Sequence, residues 1–284
     1  MNNKENSNLK DYLSKLLKKK IREDGRKPFD YRKISVETGI LSQANGSARV
    51  KLGDTEVLAG VKIGAGTPYP DGPADGTLMV NSELSPIASD RFESGPPSPA
   101  SIELSRVIDR AIRESGTIDV SKLCIKSGEK VWMVFVDVYP INDDGNLFDI
   151  GLIAAMAALK NARMPKYDEK TEQVNHRELT KDKLPINEEP VMCTFGKLDG
   201  EIFVDSTERE ELVMDSRLSI GITKKGNICA MQKGGSSPFT IEQVDKMASM
   251  AIKCAKQLRK ALWGNSWLKN KKLKLNWLSM NELV

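Results

Sequence analysis

An acidic loop in the middle of the chain has the residue types of a metal or phosphate site. Asp143, Asp144 and Asp149 surround Gly145, between an apolar run and a helix rich in small residues. Carboxylates can hold a hard cation, and the first amides of a helix can hold an anion. A calcium loop is excluded, because a glycine in the sixth position would make Pro140 the first ligand. The glycine spacing of dinucleotide and Walker sites is missing too.

The residues after Gly145 also argue against bound phosphate. Asn146, Leu147 and Phe148 stand where a phosphate would need a Ser, Thr, Arg or Lys side chain beside the helix amides. We interpret Leu147 and Phe148 as hydrophobic anchors and the preceding residues as a turn. Asp149 then favours the helix dipole.

A second acidic segment, residues 204–221, could supply magnesium ligands. Its acids are Asp205, Glu208, Glu210, Glu211 and Asp215. Magnesium prefers carboxylates and water, whereas Arg217 at the start of the next strand would repel a metal ion. We therefore favour a charged loop whose acids pair with Arg209 and Arg217.

Three arginines form a cationic stripe on a predicted helix. Arg106, Arg110 and Arg113 stand at i, i+4 and i+7 and so share one face. Glu103 and Glu114 could pair with them, which is the ordinary structural use. Bidentate contacts to nucleic-acid phosphates are the functional alternative. Spacing alone leaves the two alternatives open.

The elements that must position these residues occur in the same order twice. Hairpins are predicted where the short turn pairs at 53–54, 199–200 and 226–227 separate strand-like runs. A helix follows each group of strands, and Thr240 with Gln243 forms a capping box at the start of the last helix. This order predicts two related α+β lobes.

Several segments carry more specific predictions. An amphipathic helix is expected over residues 8–22, docked on its own protein or on an acidic partner. A helix over 102–115 follows a Pro- and Ser-rich segment, 93–101, that is predicted to be irregular. Residues 130–139 are nearly all apolar and predict a strand covered on both faces. The predicted divisions are an N-terminal helix (1–24), a first lobe (25–165), a polar linker or hairpin excursion (166–190), a second lobe (191–262) and a basic tail with tryptophans (263–284).

Composition excludes several classes of protein. The 284 residues suffice for two lobes, and the net charge of +4 is concentrated at residues 15–33 and 253–274. The four cysteines are far apart, which argues against a zinc ribbon or a disulfide framework and favours reduced, buried thiols in the cytoplasm. With His176 as the single histidine, histidine-based catalysis is improbable. No run of residues is long and apolar enough to suggest a membrane span.

Together these segments resemble the RNase PH family over roughly residues 21–262. The likeness lies in the order of the motifs IREDGRKPFDYR, GSARVKLGDTEVLAGV, GTLMVNSELSPIAS, IELSRVIDRAIRES, VWMVFVDVY, DDGN with AAMAAL, and DSTEREELVMDS. Most of the motifs are weak alone, whereas their order is highly specific. The chain is similar in particular to the non-catalytic RNase PH-like ring subunits of archaeal exosomes. The resemblance implies an α+β RNase PH fold of two βαβα-type halves (like domain 2 of ribosomal protein S5) plus an N-terminal helix.

The resemblance also implies roles for the acidic segments. In active relatives the helix begins with a Gly-(Gly/Ala)-(Thr/Ser)-Arg run that holds the attacking phosphate. Here Asn146, Leu147 and Phe148 follow the first glycine, so the hydroxyl and the arginine are missing. In active relatives the later loop ends in an aspartate that supports metal-assisted transfer. Glu211 and Asp215 keep acids, but Arg217 replaces that aspartate, so we expect no catalytic residue and no bound metal on this chain.

The partners implied by the resemblance are a catalytic RNase PH-like subunit, RNA-binding cap proteins and single-stranded RNA. Heterodimers would form a trimer of dimers, a hexameric ring, with phosphate and Mg²⁺ held at the partner subunit. Arg106 is the first candidate for an RNA phosphate contact, with Arg110 and Arg113 next. The segment Asp24–Arg26 is expected to be structural or to lie at an interface. No membrane is implied.

Two alternatives remain open at this point. The chain could be an active phosphorolytic 3′→5′ exoribonuclease with a rearranged phosphate site, or a free-standing RNA-binding module.

Overall fold

The computed structural model describes residues 3–263 and 272–274, and the strands of these residues form three sheets. The helices are α1 (Asn3–Lys18), α2 (Pro99–Glu114), α3 (Leu147–Asn161), α4 (Glu208–Glu211) and α5 (Ile241–Trp263), with a 3₁₀ helix at Val120–Leu123. The strands are β1 (Ile34–Thr38), β2 (Gly46–Leu52), β3 (Thr55–Gly66), β4 (Thr77–Ser82), β5 (Cys124–Lys126), β6 (Lys130–Asn142), β7 (Arg163–Asp168), β8 (Gln173–Lys183), β9 (Val191–Leu198), β10 (Glu201–Val204), β11 (Ser216–Ile222), β12 (Ile228–Gly235) and β13 (Lys272–Lys274).

The first sheet has the strand order β13-β1-β2-β3-β6-β4, with β5 also paired to β6. Its pairs are antiparallel except that of β4 with β6, which is parallel. Helix α2 packs against β4, and α3 packs against β2, β3 and β6. The alternating burial of β3 is what an antiparallel sheet with one covered face requires.

The second sheet has the order β10-β9-β11-β12, and α5 packs against β9 and β11. Helix α3 also contacts β9 and therefore lies between the two sheets. Its residues 148–159 are all buried, because their small and aliphatic side chains allow close approach on every side. The prediction of two α+β halves is confirmed, as are the hairpin turns at 53–54 and 199–200.

The N-terminal helix lies on the second lobe of its own chain. Leu13 and Leu17 are buried against Phe203 and its apolar neighbours. Three lysines bind acids at the turns of that lobe: Lys10 binds Asp215, Lys18 binds Asp199 and Lys20 binds Glu201. Of the two predicted docking positions, the structure shows the one on its own protein.

Three predicted element descriptions were wrong. Helix α1 begins and ends earlier than 8–22, because Lys20 adopts a left-handed conformation (φ 60°) that ends the helix. Helix α2 begins inside the segment predicted to be irregular, since Ser98 accepts a hydrogen bond from the Ser101 amide and Pro99 suits the first turn. Strand β6 is covered on one face only, and Tyr139 on the other face is 40% exposed.

The remaining predictions are met in part. The polar segment after α3 forms the hairpin β7–β8, which begins slightly earlier than predicted. The four cysteines are free, with Cys193 and Cys254 buried and Cys124 and Cys229 half-buried. The predicted tail, 263–284, lies outside the described residues apart from Trp263 and β13. In the described part of the chain, no helix is long and apolar enough to cross a membrane.

Candidate functional site

The loop between β6 and α3 is fixed by close backbone packing. Gly145 (φ 81°) and Asn146 (φ 60°) both have left-handed backbone conformations. A Cβ atom on Gly145 would lie 2.5 Å from the carbonyl oxygen of Ser206, so only glycine fits here. The first acidic segment is thereby held directly against the second, next to α4.

The three backbone amides that lead into α3 are hydrogen-bonded within the chain. The amide of Asp144 donates to Thr55 Oγ1 (3.2 Å), and the amide of Gly145 donates to Asp143 Oδ1 (3.0 Å). The amide of Asn146 donates to Glu211 Oε1 (2.8 Å). A carboxylate of the protein therefore takes the amide of Asn146, the N-cap of α3 and one of the donors that a helix start can offer to an anion.

Glu211 is held in that place from two sides. The hydroxyl of Ser206 donates to the same Oε1 atom at 2.9 Å. Burial raises the pKa of Glu211, while the amide of Asn146 opposes the rise. Sequence reasoning identified Glu211 as a remnant metal ligand, whereas the structure shows it as the partner of the helix start.

Phe148 and Arg217 fill the space beside this helix start. Phe148 is 9% exposed, and the guanidinium carbon of Arg217 lies 4.1 Å from its ring centroid. Leu147, Phe148, Glu211 and Arg217 line one small cleft of about 200 Å³. Of the predicted site residues, the structure thus brings these four together, and the amide of Asn146 is bound to one of them, Glu211.

Arg217 is held by α2 and not by the acidic loop. Its Nη2 atom donates to Glu103 Oε1 at 2.5 Å, and Gln232 Nε2 donates to the same oxygen at 2.9 Å. The prediction that Arg217 pairs with acids of its own segment was therefore wrong.

The other predicted partner of the loop, Arg209, points away from it as well. It binds Glu23, which lies just before the first lobe, at 3.2 Å. The acids of the loop find different cations: Glu208 binds Arg91, and Glu210 binds Arg22. Sequence separation concealed these partners, because each lies in another part of the chain.

The geometry does not fit a magnesium ion. Asp215 binds Lys10 at 2.5 Å and accepts a hydrogen bond from the Asp199 amide, so its side chain serves the docking of α1 and is absent from the cleft lining. Arg217 puts a positive charge beside Glu211. Within the described ranges, no group of three His, Cys, Asp or Glu side chains is arranged to hold a metal.

Asp205 is the centre of a buried charge network that sequence reasoning did not identify. It is fully buried and binds Arg26 Nη1 (2.7 Å) and Arg32 Nη2 (2.8 Å), and it accepts from Asn146 Nδ2 (2.9 Å). Burial by itself would raise the pKa of Asp205, but the charges and hydrogen bonds of Arg32 and Arg26 outweigh it and hold that pKa well below its usual range. The segment Asp24–Arg26 is thus structural, as one of its two predicted roles required.

Asp149 does more than favour the helix dipole. Its carboxylate accepts hydrogen bonds from the amide and hydroxyl of Thr194, from the Tyr31 hydroxyl and from Asn146 Nδ2. Burial outweighs these donors and raises the pKa of Asp149 to about 7. Asp149 therefore links α3 to Thr194 of β9 and to Tyr31 near the N-terminus. No local sequence pattern predicts these contacts.

The arginine stripe divides into two parts. Arg106 and Arg110 are exposed and line a shallow cleft of about 130 Å³ between α2 and β12, together with Met231. Within residues 3–263, neither of these two has an ion-pair partner. Arg113 instead binds Asp109 at 2.8 Å and the carbonyl oxygen of Leu78 at 2.9 Å. The structure therefore places two cations, and not three, at one accessible surface.

Family models match most of the chain. The 3′ exoribonuclease family, domain 1 (RNase PH), matches residues 30–165, and domain 2 of the same family matches residues 188–254. The two matches correspond to the lobes built around the first and second sheets.

Similar proteins of known identity match this sequence along nearly their whole length. The chain is 49% identical to the exosome complex component Rrp42 of Methanothermobacter thermautotrophicus, over 87% of this chain and 91% of the relative. It is 45% identical to the component of the same name from Pyrococcus furiosus, over 89% of this chain and 92% of the relative.

Solved structures of archaeal exosome chains also have a similar fold. A chain of the Archaeoglobus fulgidus exosome with RNA bound to the active site has a TM-score of 0.83 and 42% identity, covering 90% of this chain and 98% of that one. A chain of an archaeal exosome core has a TM-score of 0.79 and 40% identity, covering 90% and 97%.

Proposed function

The chain belongs to the 3′ exoribonuclease (RNase PH) family, and on that premise we propose that it is a non-catalytic ring subunit of an archaeal RNA exosome. It alternates with a catalytic RNase PH-like subunit in a hexameric ring made of three heterodimers, with RNA-binding cap proteins on one face. The partner subunit holds phosphate and Mg²⁺ and degrades single-stranded RNA from the 3′ end. The names and extents of the similar proteins support the assembly.

The observation that carries the absence of catalysis is the carboxylate of Glu211 on the amide of Asn146. Phosphorolysis requires an inorganic phosphate held beside the scissile bond, and cationic and amide donors supply most of that stabilisation. Here a protein anion takes the amide, and Phe148 stands where active relatives have arginine. A phosphate at this place would meet the carboxylate of Glu211 and the ring of Phe148, and the nearby cation Arg217 is already bound to Glu103.

The test uses the purified chain alone. It is incubated with single-stranded RNA, Mg²⁺ and inorganic phosphate, and released nucleoside diphosphates are measured. We expect no release above background, and full phosphorolysis once the catalytic subunit is added. Release that scales with the amount of this chain, in preparations free of partner, would instead establish an active exoribonuclease.

The contribution to RNA binding is carried by the free pair Arg106 and Arg110. Two exposed guanidinium groups one helical turn apart, with no competing acid bound to them, suit successive phosphates of a single strand. In the reconstituted ring, Arg106→Ala should weaken RNA binding while assembly stays intact. Unchanged binding in an intact ring would reject this role.

Assembly has its own measurement. The chain is mixed with the catalytic subunit, and the mass of the complex is determined. We expect three copies of each subunit per ring. If the chain stayed monomeric in the mixture, it would be a free-standing RNA-binding module.

A further inference from the structure

The cleft that exposes Arg106 and Arg110 also contains a carboxylate. Among the described residues that line it, Glu103 is the sole acid. Glu103 stands three residues before Arg106 and seven before Arg110, so the three side chains share one face of α2. An unpaired carboxylate in this place would pair with Arg106 and repel phosphate, and at such separations salt screens the repulsion only partly.

Glu103 is bound instead from the opposite side of the cleft. Arg217 and Gln232 both donate to its Oε1 atom, at 2.5 Å and 2.9 Å. The carboxylate is thereby turned towards β11 and β12. Arg106 and Arg110 keep no ion-pair partner in the described part of the chain.

Neighbouring residues fix the position of the Arg217 side chain. The guanidinium stacks on Phe148 at 4.1 Å. The guanidinium also lies close to Gly234, where an added Cβ atom would come within 2.9 Å of the guanidinium carbon. Phe148 and Gly234 thus confine the guanidinium of Arg217, while Gln232 holds the glutamate that Arg217 binds.

We propose that Arg217 is a positioning residue for RNA binding: it neutralises Glu103 and so leaves Arg106 and Arg110 available to RNA phosphates. This inference rests on the proposed function, and it gives a positive role to the residue that stands in place of a catalytic aspartate. Arg217 acts through Glu103 and does not itself contact the RNA.

The experiment measures the affinity of the reconstituted ring for a fluorescent single-stranded RNA at low salt. Arg217→Gln should weaken binding by about 2- to 5-fold, because the released Glu103 pairs with Arg106 and repels phosphate. Glu103→Gln alone should bind at least as tightly as the wild type. The double variant should return to within about 2-fold of the wild type, since the carboxylate that Arg217 neutralises is gone.

Two controls separate this effect from net charge and from misfolding. Lys18→Gln removes one positive charge from another ion pair, the exposed pair of Lys18 with Asp199 on the second lobe, and should leave RNA affinity unchanged. Gly234→Ala keeps every charge but displaces the guanidinium, and it should reproduce part of the loss seen in Arg217→Gln. Thermal unfolding of each variant checks the fold, and Gly234→Ala carries the test if Arg217→Gln does not fold.

The outcomes are distinguishable. Weak binding that persists in the double variant would show that Arg217 contacts RNA or acts on the fold, and would overturn the inference. An equal loss in Lys18→Gln would overturn it in favour of net charge. If Arg106→Ala weakens binding but Arg217→Gln and Gly234→Ala do not, the inference fails while the proposed function stands. If Arg106→Ala has no effect either, the RNA surface fails together with it.

Discussion

Two groups of arginines in this chain have opposite surroundings. Arg22, Arg26 and Arg32 lie where the N-terminal segment meets the second lobe, and their side chains are 0%, 2% and 8% exposed. Arg106 and Arg110 lie on the surface of α2 without an ion-pair partner among the described residues. The buried group is fully engaged, and the surface group is free.

This difference shows that the role of an arginine is indicated by the groups it contacts in the folded chain, and not by its presence in the sequence. A buried guanidinium must satisfy its donors within the protein, and Arg22 does so on Glu210 and on the carbonyl oxygens of Val204 and Asp205. An exposed guanidinium without a partner adds little to stability, so its charge is available to another molecule. Four experiments can break or sharpen this contrast.

The largest expected effect is on folding. Asp205→Ala leaves Arg26 and Arg32 as buried charges without their main partner, so the free energy of unfolding should fall by ~3–5 kcal/mol. Urea denaturation measures it. Asp71→Ala, an exposed acid, is the matched control and should stay within ~0.5 kcal/mol of the wild type. An equally small effect for Asp205→Ala would remove the contrast.

The second expected effect depends on pH. The pKa of Asp205 lies lower in the folded protein than its ordinary value of 3.8, so on acidification the unfolded chain takes up the proton first. The stabilisation is therefore complete above about pH 4 and is lost as the pH falls further, by ~1–3 kcal/mol.

This pH effect is measured as a difference between two proteins. The unfolding free energies of the wild type and of Asp205→Asn are compared at each pH, so that Asp149, whose pKa of about 7 gives the opposite slope between pH 4 and 7, cancels. The gap between the two should narrow below about pH 4. A gap that stays constant down to pH 2 would mean that Asp205 is not held ionised by the arginines.

The third expected effect is on RNA binding, without an effect on stability. The double change Arg106→Ala and Arg110→Ala should weaken RNA binding by the reconstituted ring about 10-fold at low salt and lower the salt dependence by about 1.4, the value for two phosphates of a single strand. Stability should change by less than ~0.5 kcal/mol. Fluorescence titrations over a series of salt concentrations, with urea denaturation of the same variant, measure both. A large loss of stability would show that Arg106 and Arg110 support the fold, as the buried arginines do.

The smallest effect is expected for Arg113→Ala. Asp109 and the Leu78 carbonyl already occupy this guanidinium, so RNA affinity should change less than about 2-fold and the lost helix pair should cost about 0.5 kcal/mol. The same titrations measure it beside Arg106→Ala. A loss as large as that of Arg106→Ala would extend the RNA surface to the whole predicted stripe.

Much of the fold follows from sequence because its signals are local. Turn pairs such as Asp199-Gly200 predict hairpins from a few neighbouring residues, and the order of motifs predicted both halves. The errors fell at element ends, as at Lys20 and Pro99, where a single backbone conformation or cap decides the boundary. The exposed face of β6 was missed because apolar composition does not reveal which face has a neighbour.

For the candidate site, the family resemblance predicted which reactive side chains are missing, but the sequence did not predict the contacts that the residues in their place make. The resemblance predicted that Leu147, Phe148 and Arg217 stand where active relatives have reacting groups. It did not show that Glu211 takes the amide of Asn146 or that Arg217 binds Glu103, 114 positions away. One sequence signal bears on the contact between Arg217 and Glu103: a glycine, Gly234, stands opposite Arg217 on the paired strand and leaves room for its guanidinium.

The sequence by itself determined the family and the two halves, because residue identity and order suffice for these. Tertiary structure alone decided which charges meet. The folding of α2, β11 and β12 into contact makes Glu103 the partner of Arg217 and leaves Arg106 and Arg110 without an ion-pair partner among the described residues. Folding of the N-terminal segment onto the second lobe buries Asp205 among arginines. Ionic interactions act over a few ångströms of space, and only the folded chain sets those distances.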